Sequence, residues 1–148
     1  MHLTGRSRLC YCTSIVKTAA SRHAGLWIAA AALNGLTGVA MGAFAAHGLK
    51  ATLDPAALGW VKTGADYQLW HGLALLGIGI LYERQPVRRL ALAGWLMLAG
   101  AILFSGSLYL LALAGWRGFA LVTPFGGLAL LLGWAFLLWH GLAKLRAG

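Results

Sequence analysis

Acidic residues are almost missing from this chain. Of its 148 residues only Asp54, Asp66 and Glu83 are acidic, and none precedes Asp54. Charged residues of both signs reach 10%, whereas hydrophobic residues reach 60%. That balance excludes a water-soluble domain, which has no use for so much apolar surface. Strict polar/apolar alternation is also missing, which argues against membrane-spanning strands. Cysteine occurs twice, at Cys10 and Cys12, without a second pair or histidine at zinc-ligand spacing. Two histidines and one carboxylate could hold copper or zinc, but no His-x-x-x-His or Glu-x-x-His spacing supports a metal site. Nor is there a nucleophile–base pair, a phosphate-cradling glycine loop or a haem-type histidine pair across two spans. The expectation is a chain with no catalytic residues, no cofactor and no metal.

What is present is four long apolar stretches, at about 24–46, 66–83, 90–114 and 121–142. A spanning helix takes about 20 mainly apolar residues. Irregular backbone cannot face lipid, so runs of this length are helices. The second stretch is short, and its helix is predicted to begin earlier: Asp54-Pro55 reads as an N-cap followed by proline in the first turn. The fold class expected is all-α, a polytopic four-transmembrane-helix bundle over 23–148. Residues 1–22 read as a basic, disordered cytoplasmic tail without acids.

Lysine and arginine fix the predicted orientation. Arg6, Arg8, Lys17 and Arg22 precede span one, Arg84, Arg88 and Arg89 join spans two and three, and Lys144 and Arg146 follow span four. Those nine lie on one side, and Lys50, Lys62 and Arg117, three in all, lie on the other. The excess puts both termini in the cytoplasm, as an even number of spans requires. The net charge of +9 then belongs to membrane edges and anionic lipid heads, and nucleic acid is not an expected partner. Trp27, Trp60, Trp70, Trp95, Trp116, Trp134 and Trp139 mostly fall near predicted span ends, as an interfacial belt does. A basic start, an apolar run and Ala43-Phe44-Ala45 also resemble a signal peptide, but the run is longer than an h-region of about 7–15 residues.

Glycine supplies 21 residues, about twice the usual ~7%. Lipid gives no hydrophobic drive between helices, so small residues permit the close approach that does the packing. Gly35, Gly38 and Gly42 in span one, Gly106 in span three and Gly133 in span four are the predicted contact positions. Asn34 in mid-span one is expected to bond to another helix. Polar residues gather by depth: His47 ends span one, and Asp66, Tyr67, Gln68 and His71 open span two on the same side. Ser105 and Ser107 occupy the outer half of span three, and Thr123 starts span four. These eight form a candidate polar cluster just beneath the outer surface, where a solute can be held or a hydrogen-bond network can simply join helices. Trp-His-Gly-Leu-Ala occurs twice, at Trp70 and Trp139, but at opposite predicted depths, which a duplicated helix would not show.

Several motifs follow one another in a recognisable order. They are Gly42-Ala43-Phe44-Ala45-Ala46-His47-Gly48-Leu49, then Gly59-Trp60-Val61-Lys62-Thr63-Gly64-Ala65-Asp66-Tyr67-Gln68 with His71. Phe104-Ser105-Gly106-Ser107-Leu108-Tyr109, Thr123-Pro124-Phe125-Gly126-Gly127 and Gly133-Trp134 complete the set. Together, over about 26–142, they resemble the YgdD-like family of small bacterial inner-membrane proteins of unknown function. Ala45 stands where that family usually has glycine, and the first 22 residues have no counterpart in it. The resemblance implies four spans and disfavours cleavage at Ala45, because a motif runs through it; it implies no activity. The function expected is a non-enzymatic membrane component that binds a partner, lipid or small solute through the outer cluster. The alternatives are a small transporter or channel subunit, which would need a homo-oligomer or membrane-protein partner, and a metal-dependent membrane enzyme.

Overall fold

The computed structural model describes residues 5–146, with side chains from Ser21 onward. The described residues are helical: α1 Gly5–His47, α2 Pro55–Arg84, α3 Arg88–Ala114, a 3-10 turn Arg117–Leu121, and α4 Thr123–Leu145. Local chemistry sets each boundary. At the end of α1, the N–H groups of Gly48 and Leu49 both donate to Phe44 O, at 2.8 and 2.9 Å. α2 starts where Asp54 Oδ1 accepts from the N–H of Ala56 at 2.8 Å and of Ala57 at 3.0 Å. It stops before Pro86, whose ring holds Gln85 extended. α3 ends on Gly115, at φ 67° the only one of the described residues in the left-handed region. Asp54→Ala is expected to destabilise the fold by about 1 kcal/mol, read as a lower unfolding midpoint in detergent titration.

One boundary departs from expectation. The segment 5–22, read from composition as a disordered tail, continues α1 as helix. Between Arg6 and Ala24 there is no proline or glycine to stop a helix that the apolar span already nucleates. At about 1.5 Å per residue the 43-residue α1 is about 65 Å long, roughly twice a hydrocarbon core of about 30 Å. Much of it therefore stands outside the bilayer. The side chains of Cys10 and Cys12 lie outside those described.

Three segments are long and apolar enough to cross a membrane: Ser21–His47, Arg88–Ala114 and Arg117–Leu145, the last joining the 3-10 turn to α4. α2 is not among them, because Lys62, Asp66, Gln68 and His71 dilute the apolar run that starts at Leu69. The fold is all-helical, as expected, and its four helices pack in series. α1 packs on α2, α2 on α3 and α3 on α4, while α1 and α4 share no packed face among the described residues. The helices make a folded row. Leu33, Leu36 and Val39 on α1 and Leu131 and Leu138 on α4 are each at least 60% exposed, as side chains turned to lipid should be.

Glycine sets the spacing within the row, though often not the glycines expected. A Cβ on Gly126 would meet the Phe104 backbone, at 2.8 Å from its Cα, and the Leu103 carbonyl carbon at 2.9 Å. On Gly100 it would lie 2.9 Å from Leu130 N, and on Gly133 2.9 Å from Met97 Cγ. α1 and α2 approach at Gly38 against Leu69, and at Gly72 against Asn34 and Ala31. Gly42 makes only an ordinary contact with Ala65. Gly35 and Gly106, predicted as contact positions, have open space where a Cβ would stand, although the Gly35 backbone lies beside Gly72. Apolar side chains fill two separate clusters. Trp27, Ala31, Leu75, Ile78, Ala93 and Met97 pack at the arginine-rich end. Ala45, Leu49, Ala57, Val61 and Ala112 pack at the other. Polar residues occupy the layer between them.

Candidate functional site

Level is the first thing the packing sets. Gly72 lies against Asn34, and Asn34 is the middle of the apolar segment Ser21–His47. His71 and Gln68 therefore lie level with the middle of that apolar segment. Helix α2 begins at Pro55, as the Asp54-Pro55 pair predicts, and His71 is close to its centre.

Two hydrogen-bonded arrangements occupy this layer. In the first, Tyr109 Oη–H on α3 donates to Gln68 Oε1 on α2 at 2.8 Å. Gln68 Nε2–H donates to Thr37 Oγ1 on α1 at 2.7 Å. Thr37 Oγ1–H donates back to Leu33 O at 2.7 Å. The relay crosses three helices and satisfies each hydroxyl, as burial away from water demands. In the second, Trp134 Nε1–H on α4 donates to His71 Nε2 on α2 at 3.2 Å. The other ring nitrogen, Nδ1, lies 2.7 Å from Tyr67 O. An acceptor at Nε2 and a carbonyl at Nδ1 together select the neutral Nδ1–H tautomer.

Around His71 the rings assemble into a wall. Tyr67 stacks on Phe104 with centroids 4.4 Å apart, and on His71 at 5.6 Å. His71 meets Trp134 edge-on at 6.2 Å. A groove of about 330 Å³ opens between α2, α3 and α4, lined by Tyr67, Trp70, His71, Phe104, Leu131 and Trp134 among others. Its surface is mostly apolar, and α1 takes no part in it.

The remaining residues of the predicted cluster divide. Ser107 Oγ and Thr123 Oγ1 are 2.8 Å apart and tie α3 to α4, with Ser107 also reaching Phe104 O at 2.9 Å. Ser105 is fully buried, and its hydroxyl has no partner among the described residues. His47 and Asp66 are exposed and stay outside both arrangements. Asn34 bonds to Ala30 O of its own helix at 2.8 Å, not across to a neighbour. Among the described residues no three of His, Cys, Asp and Glu come together. Thr37 and Trp134 were not singled out as partners from sequence. Thr37 and Trp134 stand among apolar residues of other spans, and only the register of the helices brings them to α2.

Residues 41–127 match the family described as a protein of unknown function, DUF423. That segment holds Gln68, His71, Tyr109 and both hydroxyls of the α3–α4 tie. This chain belongs to that family. It is 42% identical to the UPF0382 inner membrane protein YgdD of Escherichia coli over 118 residues, 80% of this chain and 90% of the relative. A UPF0382 membrane protein of Haemophilus influenzae is 44% identical over 104 residues, 70% of this chain and 82% of its own. A UPF0382 membrane protein of Staphylococcus aureus is 41% identical over 113 residues, 76% and 92% of the two chains. No solved structure matches. The protein is thus a member of a membrane-protein family, with transmembrane helices.

Proposed function

We propose that this chain is a non-enzymatic membrane component that holds a small apolar or amphiphilic solute in the groove between α2 and α4. The aromatic wall around His71 carries the reading. A groove of about 330 Å³ lies within the range of small-ligand sites, about 300–1,000 Å³. Its rings offer flat contact area, and the exposed Trp70 and Leu131 at its edge leave it open to molecules dissolved in lipid. α2 serves as a fourth crossing, since its 30 residues reach about 45 Å and its flanks are held by α1 and α3. Both termini then lie on the cytoplasmic side of the inner membrane, in keeping with nine basic residues against three.

The test uses 1-naphthol, a flat aromatic with one hydroxyl, and the protein in lipid nanodiscs. Quenching of tryptophan emission is expected to saturate for the wild type and to weaken about tenfold in Leu131→Trp, which fills the groove. Quenching that never saturates, or that is the same in both proteins, dismisses the reading. A second reading, a transporter or channel subunit, draws on the polar relay at mid-depth through α1, α2 and α3. It requires self-association through the lipid-facing sides of α1 and α4; flux-silent monomers in liposomes would exclude it.

A further inference from the structure

We propose that the cleft between the start of α3 and the end of α4 seats the phosphate of an anionic phospholipid. The cleft has a volume of about 390 Å³ and is lined by Val87, Leu92 and Trp139 with Arg88 and Arg89. Its walls are therefore apolar while two guanidinium groups stand on it. Arg89 Nε is buried without a partner in the protein.

His140 supplies the second observation. It is only 4% exposed, yet neither ring nitrogen has a hydrogen-bond partner among the described residues. The antiparallel register of Gly126 with Phe104, Gly100 with Leu130 and Gly133 with Met97 continues to place His140 level with Leu90 and Arg89. Arg89 and Lys144 are the charges that bear on it. A buried donor left unmade is costly, and an oxygen-rich anion would satisfy both Arg89 and His140. α3 adds to the same end: its N-cap Val87 offers no side-chain cap, and ahead of Leu90 and Ala91, which donate to Val87 O, the N–H groups of Arg88 and Arg89 suit an incoming anion. Glu83 is the one acid at this end among the described residues, and it is exposed.

The place favours a lipid over free phosphate. Arginines beside an exposed tryptophan at the end of two apolar helices sit at headgroup level, and basic clefts between spanning helices take anionic headgroups. Leu92 and Trp139 then lie along the acyl chain, and Arg88, Arg89 and His140 around the phosphate.

Native mass spectrometry of the full chain in detergent tests this, with phosphatidylglycerol, phosphatidylcholine and inorganic phosphate titrated separately. Phosphatidylglycerol is expected to bind at least about tenfold more tightly than phosphatidylcholine. Arg89→Gln and Arg88→Gln are each expected to weaken it about tenfold, while Arg84→Gln, outside the cleft, leaves it unchanged. Arg88 is exposed, so its variant keeps the fold even where Arg89→Gln does not. Equal binding of the two lipids, equal weakening by Arg84→Gln, or displacement of the lipid by millimolar inorganic phosphate would each overturn the proposal.

Discussion

Gly126→Ala is expected to loosen α4 from α3 and give the largest stability loss of any single methyl in this protein. The new Cβ would strike main-chain atoms of Leu103 and Phe104, which no rotamer change can move aside. Overpacking of this kind costs about 1–3 kcal/mol, and backbone against backbone belongs at the top of that range. Replacing a mid-helix glycine returns about 1 kcal/mol of helix propensity, so a net loss of about 2 kcal/mol remains. Displacing α4 also pulls Thr123 from Ser107. Gly106→Ala is the matched control. With open space around that position, only the propensity gain applies, and stability should hold or rise by up to about 1 kcal/mol. Unfolding in mixed micelles, followed by tryptophan fluorescence, measures both. Equal midpoints for the two variants would mean that α3 and α4 do not approach as described.

The next largest effect is expected at Gln68, the centre of the relay. Gln68→Leu removes the acceptor for Tyr109 and the donor to Thr37 in one step, leaving a phenol hydroxyl buried beside lipid. Single hydrogen bonds between spanning helices contribute about 0.6 kcal/mol on average and up to about 1.7. Two lost together, one with an orphaned donor, should cost about 2 kcal/mol. Tyr109→Phe, which removes hydroxyl and need together, should cost about 1 kcal/mol. The double variant should be milder than the two losses added, because the second substitution removes the group that the first one stranded. Strict additivity in that cycle would show that the Tyr109–Gln68 bond contributes nothing.

Helix positions were legible because their signals are local. Asp54-Pro55 marks the start of α2 through one side chain and one ring, and the uncharged run from Leu90 needs no partner to be a helix. Levels across helices were not legible, and His71 shows why. Its level in the fold depends on where α2 meets α1, and the contact of Gly72 with Asn34 that sets this is a matter of register. The same holds for glycine. Gly126 and Gly106 look alike in sequence, and the rotation of α3 and α4 about their axes decides which one touches a neighbour. Asn34 was expected to reach another helix because its amide needs a partner; the carbonyl one turn back at Ala30 was nearer. Of the candidate cluster, Gln68, His71, Ser107 and Thr123 enter hydrogen bonds between helices, while His47 and Asp66 are exposed and enter neither arrangement.

The serial arrangement of the helices bears on how the protein is made. The extensive helix contacts all join consecutive helices, so each helix after the first meets a partner that is already made. Such largely sequential docking keeps most loop closures short. The chain can thus assemble hairpin by hairpin as it leaves the ribosome, and a release stalled after α2 would already yield a docked pair.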